Sequence, residues 1–580
     1  MNKKKLLSIF TKEWFWYLFL ILVTFFCFVL TFRAWKYDYT TYPLTYKNDG
    51  TETIKLIKHI AENGSHWQEN KQLGFPFGSN LYVDFPTADQ FSIILIKGLT
   101  KTNINHFQVL NVYVLITYFL TSIAGYWGMR KLGVNQLLSF VGALLFSFLP
   151  YHQIRTVVGH VFLIQYFTVP ITIYLALKLT KKNFSLNEFL NWKNGLLLII
   201  MLALIASAGT AYYAFFSIGI WIISSMIGFI RNKTPQSFIG AMLFSAITGL
   251  IVLLNIYPSL IYQYKNGRNL QVQRENLQIE EYGLRLNRIL VPLAQGKPEF
   301  VQKIIGPYYK NVFHEHYQFI GLTGVAGFIL LINELVKKKA KKETRAISLI
   351  VLGIIIWASS GGLAFPLSFL VSASIRSYGR ISIYIAFLCI LVFLKFSQEI
   401  TKKIGGNKKI IIIIGLSLIF SISLIDQILS FSPHNNFWEI KERFDSNSEF
   451  ITRIEQNAPN ASNVFQIPIE KYPEGAGGCL SGTYDHLYPF LHSSNHNWSF
   501  GTVTGRDDSA QYDGFKKLST SELVNKIKDM GFNAIWIDNR NCIDGWKIQK
   551  EISEITNGTL HTSQDFKYIF IDISDYAKLD

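Results

Sequence analysis

Cysteine is scarce in this chain, with four residues in 580, and this scarcity excludes a small scaffold held together by many disulfides. Charged residues are also few, at 16% of the chain, whereas 49% of the residues are hydrophobic. Soluble domains carry about 25% charged residues, so the composition excludes a chain that is soluble throughout. It also excludes intrinsic disorder and a collagen-like fibre, and the sequence contains neither internal repeats nor low-complexity segments.

Long apolar runs are what the sequence has instead. Each is about 17 to 25 residues long, enough to cross a hydrocarbon core of about 30 Å as a helix, whereas barrel strands would be about ten residues with polar alternation. The runs predict a polytopic α-helical membrane protein with about 11 transmembrane helices and exclude an outer-membrane barrel. Residues 195–230 are read as two short spans, with one span plus a re-entrant piece as the alternative. The predicted spans are 14–33, 107–129, 134–150, 162–179, 195–208, 211–230, 237–260, 317–336, 346–364, 381–397 and 410–429.

The charges are divided unevenly along the chain. Residues 1–430 contain 42 basic and 18 acidic residues, whereas residues 431–580 contain 14 basic and 21 acidic residues. Much of the basic excess falls in short clusters in every second loop, as the positive-inside rule requires of cytoplasmic loops. A nucleic-acid-binding protein would instead gather basic and aromatic side chains on one folded face, so that class is excluded. The pattern places the N-terminus inside, behind an uncleaved anchor, and the C-terminus outside.

Two of the loops predicted to lie outside are long, and long ordered loops are where function concentrates. They are residues 34–106, which we call the first loop, and residues 261–316, which we call the second loop. We expect residues 1–430, with both loops, to form one transmembrane domain.

From about residue 431 the hydropathy pattern is that of a soluble domain. Three branched and aromatic segments, at 463–469, 533–538 and 567–573, predict strands, and a capping box of Ser519 and Glu522 predicts a helix between them. We expect residues 431–580 to form a small α/β domain outside the membrane. Cys479 and Cys542 lie in this domain, where the compartment permits a disulfide between them.

Acidic residues of the first loop are candidates for chemistry. Asp49 stands beside Gly50 at the head of a helical pattern, where it could be a helix N-cap or a catalytic carboxylate near the membrane surface. Asp84 and Asp89 follow a segment whose prolines and glycines fix an ordered path. These two carboxylates could form a base or a cation site, with turn chemistry as the simpler alternative.

Histidine and arginine side chains near the predicted boundary are further candidates. His152, Arg155 and His160 occupy a short loop, and ionisable groups so close to hydrocarbon face a cavity or a partner because facing lipid is costly. The two histidines could bind zinc, but no acidic or cysteine pair lies near them at ligand spacing. Arginines in the other outer loops suit an anionic headgroup, with salt bridges to acidic neighbours as the alternative. They include Arg285, Arg288, Arg376 and Arg380.

Four segments carry a resemblance to a known superfamily: YKNDG, GFPFGSNLYVDFPTAD, FSFLPYHQIRTVVGH and IRSYGRIS. Together with the many spans, the long first loop and the C-terminal domain, they resemble the GT-C superfamily of membrane glycosyltransferases, and in particular a group of bacterial GT-C-like polytopic proteins. The resemblance implies an enzyme that uses a sugar linked to polyprenyl phosphate.

The resemblance also implies roles for particular residues. In GT-C enzymes an acidic residue of the first external loop acts as the base or orients the acceptor hydroxyl, and Asp49 matches it, with Asp84 or Asp89 as second choices. The tight Asp-x-Asp or Glu-x-Asp pair that some members place around a metal is missing, so a divalent cation, Mg²⁺ or Mn²⁺, is left open. Candidates for the donor phosphate are Arg155, Arg285, Arg288, Arg376 and Arg380, and His152 and His160 are further pocket candidates.

We therefore expect an inverting hexosyl- or pentosyltransferase that transfers the sugar to a cell-envelope glycan, polymer or lipid. It would act at the outer face of a bacterial cytoplasmic membrane, in contact with membrane lipids. A transporter or flippase of a lipid-linked saccharide is the alternative, and it would require polar mid-span residues and paired broken helices. A metal-dependent phosphoglycerol or phosphoethanolamine transferase would need a larger external domain. We interpret one cluster of the external domain as a structural or acceptor-binding surface, with a metal centre as the alternative. It consists of Asp485, His486, His492, His496, Arg506, Asp507 and Asp508.

Overall fold

The structure is a computed structural model that describes residues 12–271, 274–294, 297–309, 317–338, 341–369, 374–429, 433–473, 475, 482–540 and 544–577. The predicted disulfide pair, Cys479 and Cys542, lies outside the described residues. Cys27 and Cys389 are buried as free thiols in two apolar helices.

Helices dominate residues 12–429, because a segment in hydrocarbon has to satisfy its own backbone hydrogen bonds. Two of these helices begin at side-chain caps: Asn105 accepts from the N–H of Gln108, and Asn135 accepts from the N–H of Leu138. Among the residues that the structure describes, seven helices are long and apolar enough to cross a membrane by length and composition. They are Glu13–Phe32, His106–Lys131, Gln136–Val157, Thr210–Asn232, Gln236–Asn255, Tyr378–Lys403 and Gly406–Leu429.

The other predicted spans are shorter helices, so the predicted number of about 11 spans is not confirmed. At 1.5 Å per residue, 12 to 17 residues do not reach across about 30 Å of hydrocarbon. The stretch 195–230 is two helices, because the chain breaks at Gly209, which has a φ of 74°. The shorter helices are Thr168–Leu179, Trp192–Ser207, Leu322–Val336 and Lys342–Ala358.

Short helices also order the loops. The first loop contains Asp49–Asn63, Leu81–Asp84 and Gln90–Leu99. The region of the second loop contains Tyr257–Asn266, Gln278–Glu281, Leu286–Leu290, Glu299–Ile305 and Gly306–Tyr309. Leu186–Phe189 and Ala364–Ser368 lie between other helices.

The C-terminal domain begins with helix Pro433–Asn457 and contains a sheet. Within its described residues the strands are β1 (Asn463–Ile467), β2 (Asn497–Trp498), β3 (Ala534–Asp538), β4 (Thr559–Thr562) and β5 (Tyr568–Asp572). Their order is β2-β1-β3-β5-β4, with β1 parallel to β2 and β3 and with β5 antiparallel to its neighbours. The helices are Leu487–His492, Asp507–Ala510, Phe515–Lys517, Thr520–Asp529 and Gly545–Thr556.

The three segments predicted to be strands are β1, β3 and β5. The predicted capping box is also present: the Ser519 hydroxyl accepts from the N–H of Glu522, and the Glu522 carboxylate accepts from the N–H of Ser519. The described residues of the C-terminal part thus contain the small sheet and the helices that the sequence predicted.

The first loop and the C-terminal domain share one hydrophobic core. The backbone N–H groups of Gly74 and Phe75 donate to the carbonyls of Phe500 and Trp498, both at 3.0 Å, so the loop runs along the edge of β2. The fully buried Tyr46 ring lies 4.7 Å from the ring of Tyr488. This packing fixes the first loop against the sheet and positions its helix Asp49–Asn63.

Candidate active site

A cavity of about 560 Å³ lies between the first loop, the turn at residues 159–163, the start of helix Thr210–Asn232 and residues 374–380. The C-terminal domain contributes Tyr484 to its wall. Acidic and basic side chains from distant parts of the sequence meet here, which is an arrangement typical of an active site. Its ionisable lining residues are Asp49, Glu52, Tyr82, Asp89, His160, Tyr212, Arg274, Arg376, Arg380 and Tyr484.

Asp49 is the first residue of its helix rather than the helix cap. The cap position belongs to Asn48, which has a φ of 48° and makes no side-chain cap hydrogen bond. The Asp49 carboxylate instead meets His160, with 2.8 Å between Oδ2 and Nε2, and its side chain is 49% exposed. The N-cap interpretation is therefore not supported, and Asp49 presents a carboxylate to the cavity.

Two glycines allow Asp49 and His160 to meet. Gly159 has a φ of 89°, and a Cβ built on it would overlap the backbone of Gly50. A Cβ on Gly50 would in turn overlap the side chain of Thr45. The two backbone segments can approach only because both residues lack a side chain.

Arg155 orients the ring of His160. Its Nη1 lies 2.7 Å from His160 Nδ1, and Arg155 is 1% exposed. A guanidinium only donates, so Nδ1 accepts. His160 then donates from Nε2 to the carboxylate of Asp49.

Glu52 is a lining residue that the sequence interpretation missed. It lies one turn after Asp49, and its carboxylate accepts from the hydroxyls of Tyr82 at 2.7 Å and Tyr472 at 2.9 Å and pairs with Lys55 at 2.7 Å. The i to i+3 spacing from Asp49 was the available signal. These partners leave Glu52 as an anchor between the first loop and the C-terminal domain.

Three arginines line the same cavity. Arg376 Nη1 donates to the side-chain oxygen of Gln278 at 2.6 Å, and the Arg380 guanidinium lies over the ring of Tyr212, 4.3 Å from its centroid. Arg274 is the third, from the second loop. The structure thus brings Arg376 and Arg380 together with Asp49.

The other predicted phosphate ligands lie outside the cavity lining. Arg155 is behind His160, where it also lies over the Tyr151 ring at 5.1 Å. Arg285 binds the carbonyl of Glu281 through Nη2 at 3.4 Å, and Arg288 is 8% exposed. Burial and these contacts give Arg155 a positioning role instead of contact with a ligand in the cavity.

Asp84 and Asp89 do not resemble Asp49 in their surroundings. Asp84 is fully buried and forms a two-point ion pair with Arg506, with Nε to Oδ2 at 2.9 Å, and it lies outside the cavity. Asp89 reaches the cavity wall but accepts from the backbone N–H of Thr210 at 2.6 Å, so it caps that helix. Burial raises the pKa of Asp89 to about 6.

His152 is a core residue. Its ring stacks on Tyr118 with centroids 3.6 Å apart, Nε2 lies 3.0 Å from the hydroxyl of Thr117, and Nδ1 lies 3.3 Å from the hydroxyl of Tyr166. The residue is fully buried, and it does not line the cavity. Of the two predicted histidines, only His160 takes part in the cavity.

The lining does not fit a divalent cation. Glu52 has its carboxylate occupied by Lys55 and two tyrosine hydroxyls, and Asp89 has its carboxylate occupied by a helix terminus. In the described part of the chain, no group of three or more His, Cys, Asp or Glu side chains is placed to hold a metal ion. Mg²⁺ needs several converging oxygen ligands, so no step is assigned to a metal here.

Residues 66–419 match the model of a family described as "Domain of unknown function (DUF6311)". No curated protein matches the chain.

Solved structures resemble the whole chain. The crystal structure of ArnT from Cupriavidus metallidurans in the apo state has a TM-score of 0.54 and 10% identity, over 97% of this chain and 99% of that chain. The Archaeoglobus fulgidus oligosaccharyltransferase tethered with an acceptor peptide has a TM-score of 0.49 and 10% identity, over 98% of this chain and 74% of that chain. Arabinofuranosyltransferase AftD from Mycobacteria has a TM-score of 0.45 and 10% identity, over 97% of this chain and 40% of that chain.

Only the ArnT comparison exceeds a TM-score of 0.5, and at 10% identity it shows the fold alone. The chain therefore has the same overall fold as ArnT, and this agrees with the GT-C-like architecture predicted from the sequence.

Proposed function

The chain belongs to the DUF6311 family, and from its GT-C fold and its cavity we propose that it is a membrane glycosyltransferase. It moves a hexose or pentose from a polyprenyl-phosphate donor to a cell-envelope glycan, polymer or lipid. The reaction takes place at the outer face of the bacterial cytoplasmic membrane. The basic clusters between the spans support this orientation of the cavity and the C-terminal domain.

The observation that carries the proposal is the meeting of Asp49 with Arg376 and Arg380 in one cavity. Asp49 takes the proton of the attacking acceptor hydroxyl. The acceptor oxygen forms a bond to the anomeric carbon as the bond from that carbon to the phosphate oxygen breaks. The arginines stabilise the charge that grows on the leaving phosphate. Direct displacement inverts the anomeric centre.

His160 and Arg155 support this chemistry without contacting the reacting atoms. Arg155 orients the His160 ring, and the ring donates to one carboxylate oxygen of Asp49. The Asp49 side chain is 49% exposed and faces the cavity, from which the acceptor hydroxyl approaches it. A chain of oriented donors of this kind holds a general base in a productive geometry.

An apolar groove supports a donor with a lipid tail. It has a volume of about 990 Å³ and lies between helices Thr210–Asn232 and Lys342–Ala358. Gly219 lies against Trp357 at the floor of the groove. Tyr378 lines the groove, while its sequence neighbours Arg376 and Arg380 line the cavity. A tail in the groove would therefore place its phosphate beside these arginines.

The test is sugar transfer by the full chain in lipid nanodiscs, with a panel of synthetic polyprenyl-phosphate sugars and envelope extract as the acceptor. We expect Asp49→Asn to lose about 10²- to 10⁴-fold in turnover, the contribution of a general base. Glu62→Gln is the matched control, because Glu62 is on the same helix, pairs with Lys58 at 3.7 Å and lies outside the cavity.

Transfer by Asp49→Asn at the parent rate would contradict the assignment of the base. The transporter alternative is tested in the same nanodiscs, because a transporter binds the donor without breaking the sugar–phosphate bond. Donor that stays intact with the parent protein under every condition, while binding is retained, would favour that alternative.

A further inference from the structure

The C-terminal domain contains a second cavity, of about 500 Å³, at the carboxyl ends of β1 and β2. β2 lies on one side of β1 and β3 on the other, so the next two strands along the chain leave β1 in opposite directions. Ligands of open α/β sheets bind outside the carboxyl ends of parallel strands at such a point. The volume is within the range of about 300 to 1,000 Å³ found for small-molecule sites.

Aromatic rings and uncharged polar groups form much of its wall. Phe465, Phe500 and Tyr512 contribute ring surface, and Ser499 and Thr502 contribute hydroxyls. The Tyr512 hydroxyl donates to a carbonyl of the first loop at 2.6 Å, which fixes the ring in place. Sugars present an apolar C–H face and a rim of hydroxyls, so this mixture suits a sugar.

The charged side chains around the cavity are balanced in sign, with three basic and three acidic residues. A site for phosphate or a polyanion would have an excess of basic groups, as the guanidinium fork prefers an anion. The balance therefore favours an uncharged ligand. These residues are Lys471, Arg506, Lys516, Glu470, Asp507 and Asp513.

His486 adds a buried acceptor to the cavity wall. It is 1% exposed, and its Nε2 donates to the carbonyl of Pro468 at 2.6 Å. Its Nδ1 is buried and has no hydrogen-bond partner among the residues that the structure describes. Burial lowers the pKa of this ring, so it stays neutral and Nδ1 accepts. An unsatisfied buried acceptor costs about 1 to 3 kcal/mol, and a ligand hydroxyl would satisfy it.

The same two segments of chain line both cavities. Tyr484 lines the Asp49 cavity, and His486, two residues on, lines the second cavity. Lys471 lines the second cavity, and the next residue, Tyr472, donates its hydroxyl to Glu52 in the wall of the first. A ligand that fills both cavities is therefore an extended one, longer than a single sugar.

We propose that the second cavity binds the saccharide part of the acceptor, an uncharged oligosaccharide whose end reaches Asp49. This inference rests on the proposed function, and it specifies a glycan as the acceptor class. The saccharide contacts aromatic faces in the second cavity and donates a hydroxyl to His486 Nδ1.

The test is binding of short uncharged oligosaccharides, and of their monosaccharides as controls, to the full chain in detergent. An immobilised array finds the best binder, and titration calorimetry measures its Kd. Ala510→Trp fills the cavity and weakens binding about tenfold or more. Gln511→Trp is the matched control, because Gln511 is the adjacent exposed residue and does not line the cavity. Thermal unfolding establishes that both variants are folded.

The inference is overturned if the parent binds no oligosaccharide, or if Ala510→Trp binds as tightly as Gln511→Trp. Turnover of the sugar donor distinguishes failure of this inference from failure of the proposed function. Donor turnover by the parent without oligosaccharide binding removes only this inference. Oligosaccharide binding by both the parent and Asp49→Asn, without turnover of any donor, supports this cavity as a saccharide site and removes the transferase.

Discussion

Two aspartates of the first loop, Asp49 and Asp84, have opposite surroundings. At Asp49 the carboxylate is half exposed, faces a cavity and accepts from His160. At Asp84 the carboxylate is fully buried and takes two hydrogen bonds from Arg506 of the C-terminal domain. Asp49 is accessible from the cavity, whereas Asp84 is enclosed by its ion pair. The C-terminal domain thus buries one acid of the loop and leaves the other facing the cavity.

The largest expected effect that tests the difference between Asp49 and Asp84 is the loss of stability on substitution of Asp84. Removing one partner of a buried ion pair leaves an uncompensated charge, which costs about 3 to 5 kcal/mol. We expect Asp84→Asn to lower the Tm of the full chain clearly, while Asp49→Asn leaves it near the parent value. Differential scanning fluorimetry in detergent measures both. Equal Tm values for the two variants would break the contrast.

The next effect is on donor binding. Arg380 stands over Tyr212 in the cavity wall, and a charge-assisted hydrogen bond to phosphate is worth about 1.5 to 3 kcal/mol. We expect Arg380→Gln to lower kcat/KM for the donor by about 10- to 100-fold. Arg285→Gln, outside the cavity, is the control and should stay within about twofold. Steady-state kinetics with a purified donor decide between them.

A smaller effect is expected at His160, which acts on Asp49 as a positioning residue. His160→Ala should lower kcat by about tenfold at nearly constant donor KM, the size expected when a group is misplaced. His160→Gln should recover part of this loss, because its amide also donates to a carboxylate. Equal losses in the two variants would indicate that the residue is needed only for packing.

The smallest effect concerns the pH dependence of stability. The folded-state pKa of Asp89 is about 6, above its ordinary value of 3.8, because the group is buried. The folded state therefore binds the proton more tightly, and this stabilisation is present below about pH 4 and is lost as pH rises through 6. We expect the Tm of Asp89→Asn to fall less steeply than that of the parent between about pH 4 and pH 6. An unchanged slope would contradict the assignment.

The helical part and the C-terminal sheet were predicted from the sequence, and Asp49, Arg376 and Arg380, which line one cavity, were among the predicted site residues. The errors of the prediction have physical causes. Periodicity reports which residues are apolar, so the helices were found while their lengths were overestimated at Thr168–Leu179 and Leu322–Val336. Periodicity does not show which side chains contact each other in the folded protein. Asp84 and Asp49 looked equivalent because Arg506 is 422 residues away from Asp84 in the chain.

Hydrophobic runs, basic clusters and turn residues are local properties, so the amino-acid order alone determined that the chain consists largely of apolar helices and that a sheet follows them. Long-range packing decided the rest. Gly50 and Gly159 place Asp49 against His160, and Tyr484 closes the cavity from the far end of the chain. Which acid faces the cavity depends on distances between segments that only the folded molecule defines.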